Sequence, residues 1–175
     1  MISTARMDLI PSNLGLALAE LADRELFAER LGGRVPDNWP PESLADALPL
    51  FLEWMQARPD AVGWYGWYAL ARDVSTDAPV LVGSVGFRGP PVYGLVEIGY
   101  SVLPQFYRRG YATEMTNALV DWALSHAEVT RVEAQAEPAN LASVRVLARV
   151  RFVPVGPGDE PGCVRFVYVA EESGG

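Results

Sequence analysis

The segment EIGYSVLPQFYRRGYATE, Glu97 to Glu114, gathers a carboxylate, two guanidinium groups and a glycine around one strand-to-helix junction. Val96, Ile98, Tyr100 and Val102 alternate along the strand as a bulky face expected in the core. Glu97, Gly99 and Ser101 form a small polar face that a ligand can approach. Pro104 ends the strand, and Arg108-Arg109-Gly110 leads into a helix predicted from Tyr111. A fresh helix N-terminus offers unpaired N–H groups and the positive end of a dipole, which favour an anion. Gly110 lets the backbone come close to a phosphate, and Ala112 keeps the first turn uncrowded. Thr113 adds a hydroxyl, and Arg108 and Arg109 supply charge and donors. Together these meet the needs of a pyrophosphate, although an ordinary β-to-α connection with solvated arginines carries the same signals. Neither G-x-G-x-x-G nor G-K-[ST] is present, so the segment is neither a dinucleotide fingerprint nor a P-loop.

The elements that must position these residues follow from periodicity. A first strand is expected near Ala5 to Ile10, then a helix capped by Asn13 and ended by Gly32-Gly33. Prolines 36, 40 and 41 force extended backbone around Trp39. A second helix is expected from Glu42 or Ser43 to before Pro59, kinked or split at Pro49. From Gly63 the period becomes two, giving strands in WYGWYALARD, APVLVGSVGFRG and Leu95 to Leu103. A helix from Tyr111 to Ser125, a strand in RVEAQAE, a short helix capped by Asn140 and two closing strands complete the order β-α-α-β-β-β-α-β-α-β-β. That order predicts a mixed α/β fold whose central sheet passes from antiparallel to parallel and is flanked by helices.

Composition narrows the function. The 175 residues are half apolar and suit one domain with its own core. A net charge of −8 argues against a nucleic-acid binder and is compatible with a cationic acceptor. One cysteine and one histidine exclude an intrachain disulfide and a Cys/His metal centre, so no metal is expected. Cys163, in an apolar run, is read as a buried small hydrophobe, and His126 as a cation suited to a helix C-terminus. No N-terminal leader pattern or bilayer-length apolar run is visible, so a cytoplasmic protein without membrane contact is expected.

The opening segment, followed by AEPANLASVRVLARVRF, resembles the GCN5-related N-acetyltransferase superfamily, closest to its ribosomal-protein-alanine acetyltransferase-like branch. There a Q/R-x-x-G-x-G/A segment wraps the pyrophosphate of acetyl-CoA, and an N-x-x-S/A helix lines the pantetheine arm. Gly110 and Ala112 match the first motif, with Tyr107 at its leading position and Arg108 and Arg109 able to supply the charge. Asn140 and Ser143 match the second, which the family closes with Gly-Phe where this chain has Arg151-Phe152. The resemblance is good over Leu81 to Val155 and loose over the first sixty residues.

The resemblance implies a single acetyltransferase domain over residues 1–175. Residues 1–62 would form the acceptor side and residues 81–155 the acetyl-CoA-binding core. Acetyl-CoA would be held by Ser101, Val102, Leu103, Arg108, Arg109, Gly110, Tyr111, Ala112, Thr113, Asn140 and Ser143. Its acetyl group would pass to a primary amine of a small molecule or protein N-terminus. Glu97 is the candidate general base and a substrate contact. Backbone N–H groups near Val102 can polarise the carbonyl. Many relatives carry a tyrosine seven residues after the asparagine to protonate the thiolate. Here that position is Leu147, which leaves Ser143 as the candidate donor. Trp39 is the candidate wall of the acceptor pocket. A homodimer paired through the strand at Cys163 to Ala170 is also open. Two rival readings are a non-catalytic CoA-binding sensor or interaction module and another nucleotide-binding α/β protein.

Overall fold

The computed structural model describes residues 1–75 and 77–170. Its strands are β1 (Ile2–Ser3), β2 (Met7–Pro11), β3 (Gly66–Ala71), β4 (Val80–Phe87), β5 (Leu95–Val102), β6 (Arg131–Ala136), β7 (Phe152–Pro157) and β8 (Val164–Tyr168). Among the described residues they form one sheet in the order β1-β2-β3-β4-β5-β6-β8-β7. Every neighbouring pair is antiparallel except β5 and β6. The mixed α/β architecture expected from the sequence is therefore present.

The helices are α1 (Leu14–Ala22), α2 (Arg24–Leu31), α3 (Glu42–Ala45), α4 (Leu48–Ala57), α5 (Tyr111–Leu124) and α6 (Leu141–Arg149). Asn13 caps α1 as expected, its side chain accepting from the Leu16 N–H. The single helix expected from Asn13 to Leu31 is instead two. Asp23 ends α1 with its N–H on the Ala19 carbonyl and starts α2 by accepting from Leu26, a capping role its short carboxylate favours over a helix interior. Gly32 then closes α2 in the left-handed region at φ 77°. The second expected helix also divides, into α3 and α4. Pro49 stands in the first turn of α4, where the missing N–H costs nothing.

The core lies on the sheet under α5, where Met115, Leu119 and Ala123 are fully buried beside Val96 and Ile98. Each large apolar side chain so removed from water contributes about 1.5–3 kcal/mol. His126 follows α5 with Nδ1 2.8 Å from the Trp122 carbonyl, the C-terminal position expected for it. Because β8 is paired on both sides, by β6 and β7, it has no free edge, and the idea of a dimer paired through this strand is corrected.

Candidate active site

Strands β5 and β6 run together only briefly. Their parallel pairs stop at Glu97↔Glu133, yet β5 continues to Val102 and β6 to Ala136. Beyond Glu97 the two strands part and leave a gap in the sheet. On its other edge β5 is paired with β4 from Ile98 to Val102. The Glu97 carbonyl accepts from Arg88 and the Leu103 N–H donates to Val82. By the two-residue repeat of an antiparallel ladder, residues 97, 99, 101 and 103 turn their backbone groups to β4, and 98, 100 and 102 turn theirs to the gap. A ligand arm lying in the gap therefore meets the backbone N–H groups of Ile98, Tyr100 and Val102. Leu103 is corrected as a ligand contact: its N–H is spent on Val82 and its side chain is fully buried.

The gap opens at one end onto the loop that leads into α5. After a single 3-10 turn at Pro104–Phe106, Arg108 and Gly110 both take left-handed backbone, at φ 60° and 82°. Gly110 provides no side-chain cap for α5. The Glu114 N–H donates to the Gly110 carbonyl, and among the described residues the N–H groups of Tyr111, Ala112 and Thr113 have no acceptor. Arg108 and Arg109 are exposed beside them. Free N–H groups and two cations at one helix start form a cradle with the chemistry to accept an anion. The side chain of Tyr111 plays no part in it, being buried with its hydroxyl on Asp73 at 2.6 Å. Only its backbone N–H faces the cradle.

The loop is braced from the far end of the chain, which the sequence did not reveal. The Arg6 guanidinium donates from Nη1 to the Arg109 carbonyl (2.8 Å) and from Nε to Glu114 (2.8 Å), and stacks 4.6 Å over the Tyr111 ring. Glu114 also accepts from the Arg6 N–H at 2.9 Å and from Thr4 at 2.6 Å. Burial alone would push its carboxyl up, but these bonds outweigh it and hold the group below its ordinary value.

At its other end the gap meets a cavity of about 310 Å3 lined by β4, β5 and helices α1, α3 and α4. Gly99 opens onto this space, for a Cβ placed there would meet nothing within 4 Å. Glu97 lines the cavity, ion-paired with Arg88 at 3.1 Å and accepting from Gln135 at 3.0 Å. Ser101 points to the same side, its hydroxyl 3.4 Å from that of Ser43. Cys163 is half-buried and lines the cavity rather than the core. Desolvation, then the charges of Glu160 and Glu137, push its thiol up and away from nucleophilic form.

Trp39 is corrected as a pocket wall. It is 6% exposed and lies behind the cavity, its indole N–H donating to Glu20 at 2.8 Å. Glu20 takes its place on the lining and also accepts from the Tyr68 hydroxyl. Burial pushes the Glu20 carboxyl up.

On the opposite face of β5, Tyr100 packs against the core as its alternation predicts but is only partly buried, with its hydroxyl turned to α6. Its hydroxyl lies 2.9 Å from Ser143 Oγ and donates to the Ser143 carbonyl at 3.1 Å. Asn140 caps α6 as expected, accepting from the Ser143 N–H at 3.1 Å. Desolvation pushes the Tyr100 phenol up, so it stays protonated. Leu147 is fully buried, and a phenol thus comes from β5 where α6 has none. Arg151 keeps the turn after α6 in the left-handed conformation glycine would favour, at φ 71°, with its N–H on the Ala148 carbonyl. Among the described residues no group of three His, Cys, Asp or Glu side chains is placed to hold a metal, and no helix is long and apolar enough to cross a membrane.

Comparison with known proteins identifies the fold and the family. The N-acetyltransferase YjdG of Bacillus subtilis (strain 168), itself described as uncharacterized, is 29% identical over 154 residues, covering 87% of this chain and 89% of YjdG. Among solved structures, the ribosomal-protein-S5-alanine acetyltransferase of Vibrio fischeri has a like fold, with a TM-score of 0.62 at 15% identity over 98% of this chain and 97% of that one. So has AAC(6')-Ib in complex with ribostamycin and coenzyme A, with a TM-score of 0.59 at 19% identity over 93% of each chain. The family model described as an acetyltransferase (GNAT) domain matches residues 13–153, well over half of the sequence. The chain belongs to the GNAT acetyltransferase family.

Proposed function

We propose that the protein is an acetyl-CoA-dependent N-acetyltransferase that acts on a primary amine of a small molecule or a protein N-terminus. One observation carries this reading. The gap between β5 and β6 joins an anion cradle at one end to a carboxylate-lined cavity at the other. Acetyl-CoA needs a diphosphate site, a narrow channel for its arm and a chamber where a second reactant can reach the thioester.

In this reading the N–H groups at the start of α5, with Arg108 and Arg109, hold the diphosphate. The backbone N–H groups of β5 that face the gap hold the arm and polarise the carbonyl as charge develops on its oxygen. Asn140 orients the first turn of α6 and so fixes Ser143 beside the arm. Glu97 takes a proton from the amine, directly or through a water, with Arg88 and Gln135 setting its orientation. The nitrogen–carbon bond forms and the carbon–sulfur bond breaks. Tyr100, paired with Ser143, donates a proton to the departing sulfur. Ser101 and Glu97 line the chamber on the acceptor side.

The test is release of free thiol at saturating acetyl-CoA across a panel of amines. Release that depends on the amine supports transfer. Coenzyme binding with no release from any amine would favour a non-catalytic binding module.

A further inference from the structure

The charges of the acceptor cavity are unevenly answered. Its charged lining consists of three carboxylates, Glu20, Glu97 and Glu160, and one guanidinium, Arg88. Arg88 sits between two of them, with Nε 3.1 Å from Glu97 and Nη2 3.2 Å from Glu160, so one negative charge is left over at that end. Glu20 stands at the other end, and among the described residues no cation is paired to it. Its partners are neutral donors, the Trp39 indole N–H and the Tyr68 hydroxyl. Between the two ends Leu44 from α3 and Leu48, Phe51 and Met55 from α4 build an apolar wall, facing a side that carries Ser12, Ser84 and Ser101.

From this arrangement we infer that the acceptor is an aliphatic amine bearing a second cationic group, of the α,ω-diamine class. One nitrogen reacts near Glu97, and the other, as an ammonium, pairs with Glu20. The inference rests on the acetyl-transfer reading above. Its chemistry is charge complementarity: two carboxyl sites not fully answered by cations, with the apolar α3–α4 wall between them, match two ammonium groups separated by methylenes, and an ammonium beside Glu20 favours the ionised form of that carboxyl. A carboxylate already stripped of much of its water gains more from an arriving cation than an exposed one does. The overall charge of −8 also draws a dication toward the molecule.

The spacing is consistent. Tyr68, which holds Glu20, is in register with Ser84 and, across β4, with Ser101, four residues from Glu97 on β5. Standard sheet spacings put the Tyr68 and Glu97 backbones about 16 Å apart. The reach of the Tyr68, Glu20 and Glu97 side chains into the cavity shortens the span left for the acceptor.

The experiment compares 1,6-diaminohexane with n-hexylamine, which differ only in the second nitrogen, by amine-dependent thiol release. The diamine should have a kcat/KM at least about tenfold higher, the scale of one partly buried charge pair. Glu20→Gln should bring that ratio close to one. Because the comparison in the native protein needs no variant, it stands even if Glu20→Gln folds poorly. Equal kcat/KM for the two amines, or a preference that survives in folded Glu20→Gln, overturns the inference while leaving acetyl transfer intact. Failure to acetylate the diamine in protein that binds acetyl-CoA overturns it as well. Failure to bind acetyl-CoA at all instead removes the reading on which it rests.

Discussion

Arg6 lies more than a hundred residues from the loop it braces, and its removal is the most informative single perturbation. Arg6→Ala deletes two hydrogen bonds, to the Arg109 carbonyl and to Glu114, and the stacking over Tyr111. A charge-assisted bond of this kind is worth about 1.5–3 kcal/mol when well shielded and below about 1 kcal/mol at a wet surface. The Arg6 side chain is 34% exposed and that of Glu114 18%, an intermediate case. Glu114 also keeps Thr4 and the Arg6 backbone N–H as donors. A stability loss of about 1–2 kcal/mol is therefore expected in thermal or urea unfolding. Coenzyme affinity should fall about tenfold, or about 1.4 kcal/mol, because the Arg109 carbonyl no longer has the contact that sets the cradle. Arg6→Lys separates the two effects. An ammonium can pair with Glu114 but cannot fork to Arg109 as well, so stability should recover more than affinity does. pH gives a further check. The Glu114 carboxyl is held below its ordinary value, so its contribution is complete above that value and is lost as pH falls toward the depressed one. Wild-type stability and loop order should drop in that acid window, and less so in Arg6→Ala. Undiminished coenzyme affinity in a folded Arg6→Ala protein would refute the bracing argument.

Three further outcomes follow from the site. Replacing both Arg108 and Arg109 with alanine should weaken coenzyme binding by about 2–4 kcal/mol if both reach the diphosphate, and an unchanged Kd would remove the assignment. Glu97→Gln should lower kcat strongly with little change in coenzyme affinity, whereas a native pH–rate profile would take Glu97 out of the mechanism. Tyr100→Phe should lower kcat about 10- to 100-fold for poor thiol leaving groups if its hydroxyl supplies the proton, and a rate equal to the native one would return that role to Ser143 alone.

What could be read from the sequence was local chemistry. Asn13 and Asn140 announce their helices because an Asx cap is satisfied three residues away. Gly110 announces the left-handed turn into α5 because the residues of that turn are contiguous. The strand alternation placed Glu97, Gly99 and Ser101 on the cavity side for the same reason. Local reading failed where a local preference competed with another, as at Asp23, which caps a new helix inside an apolar-periodic stretch. It failed again where partners are distant in the chain. Tyr100 packs against the core as its alternation predicts, but nothing local shows that α6, forty-three residues on, brings Ser143 to its hydroxyl. Trp39 reads as a pocket wall until Glu20 and Tyr68 claim the space in front of it. Arg6, in a segment the motifs do not reach, gave no signal at all. The gap itself depends on two strands ending their pairing at Glu97 and Glu133, a property of the sheet and not of either segment.

The most direct test of the central claim is calorimetric titration of the purified protein with acetyl-CoA, with ATP and NAD as controls. The cradle and the gap predict one binding site per chain, an affinity in the micromolar range, and no comparable heat from either control. A folded protein that gives no heat with acetyl-CoA, or prefers ATP or NAD, would contradict the assignment of the loop at Arg108-Arg109-Gly110 and of the channel it opens into.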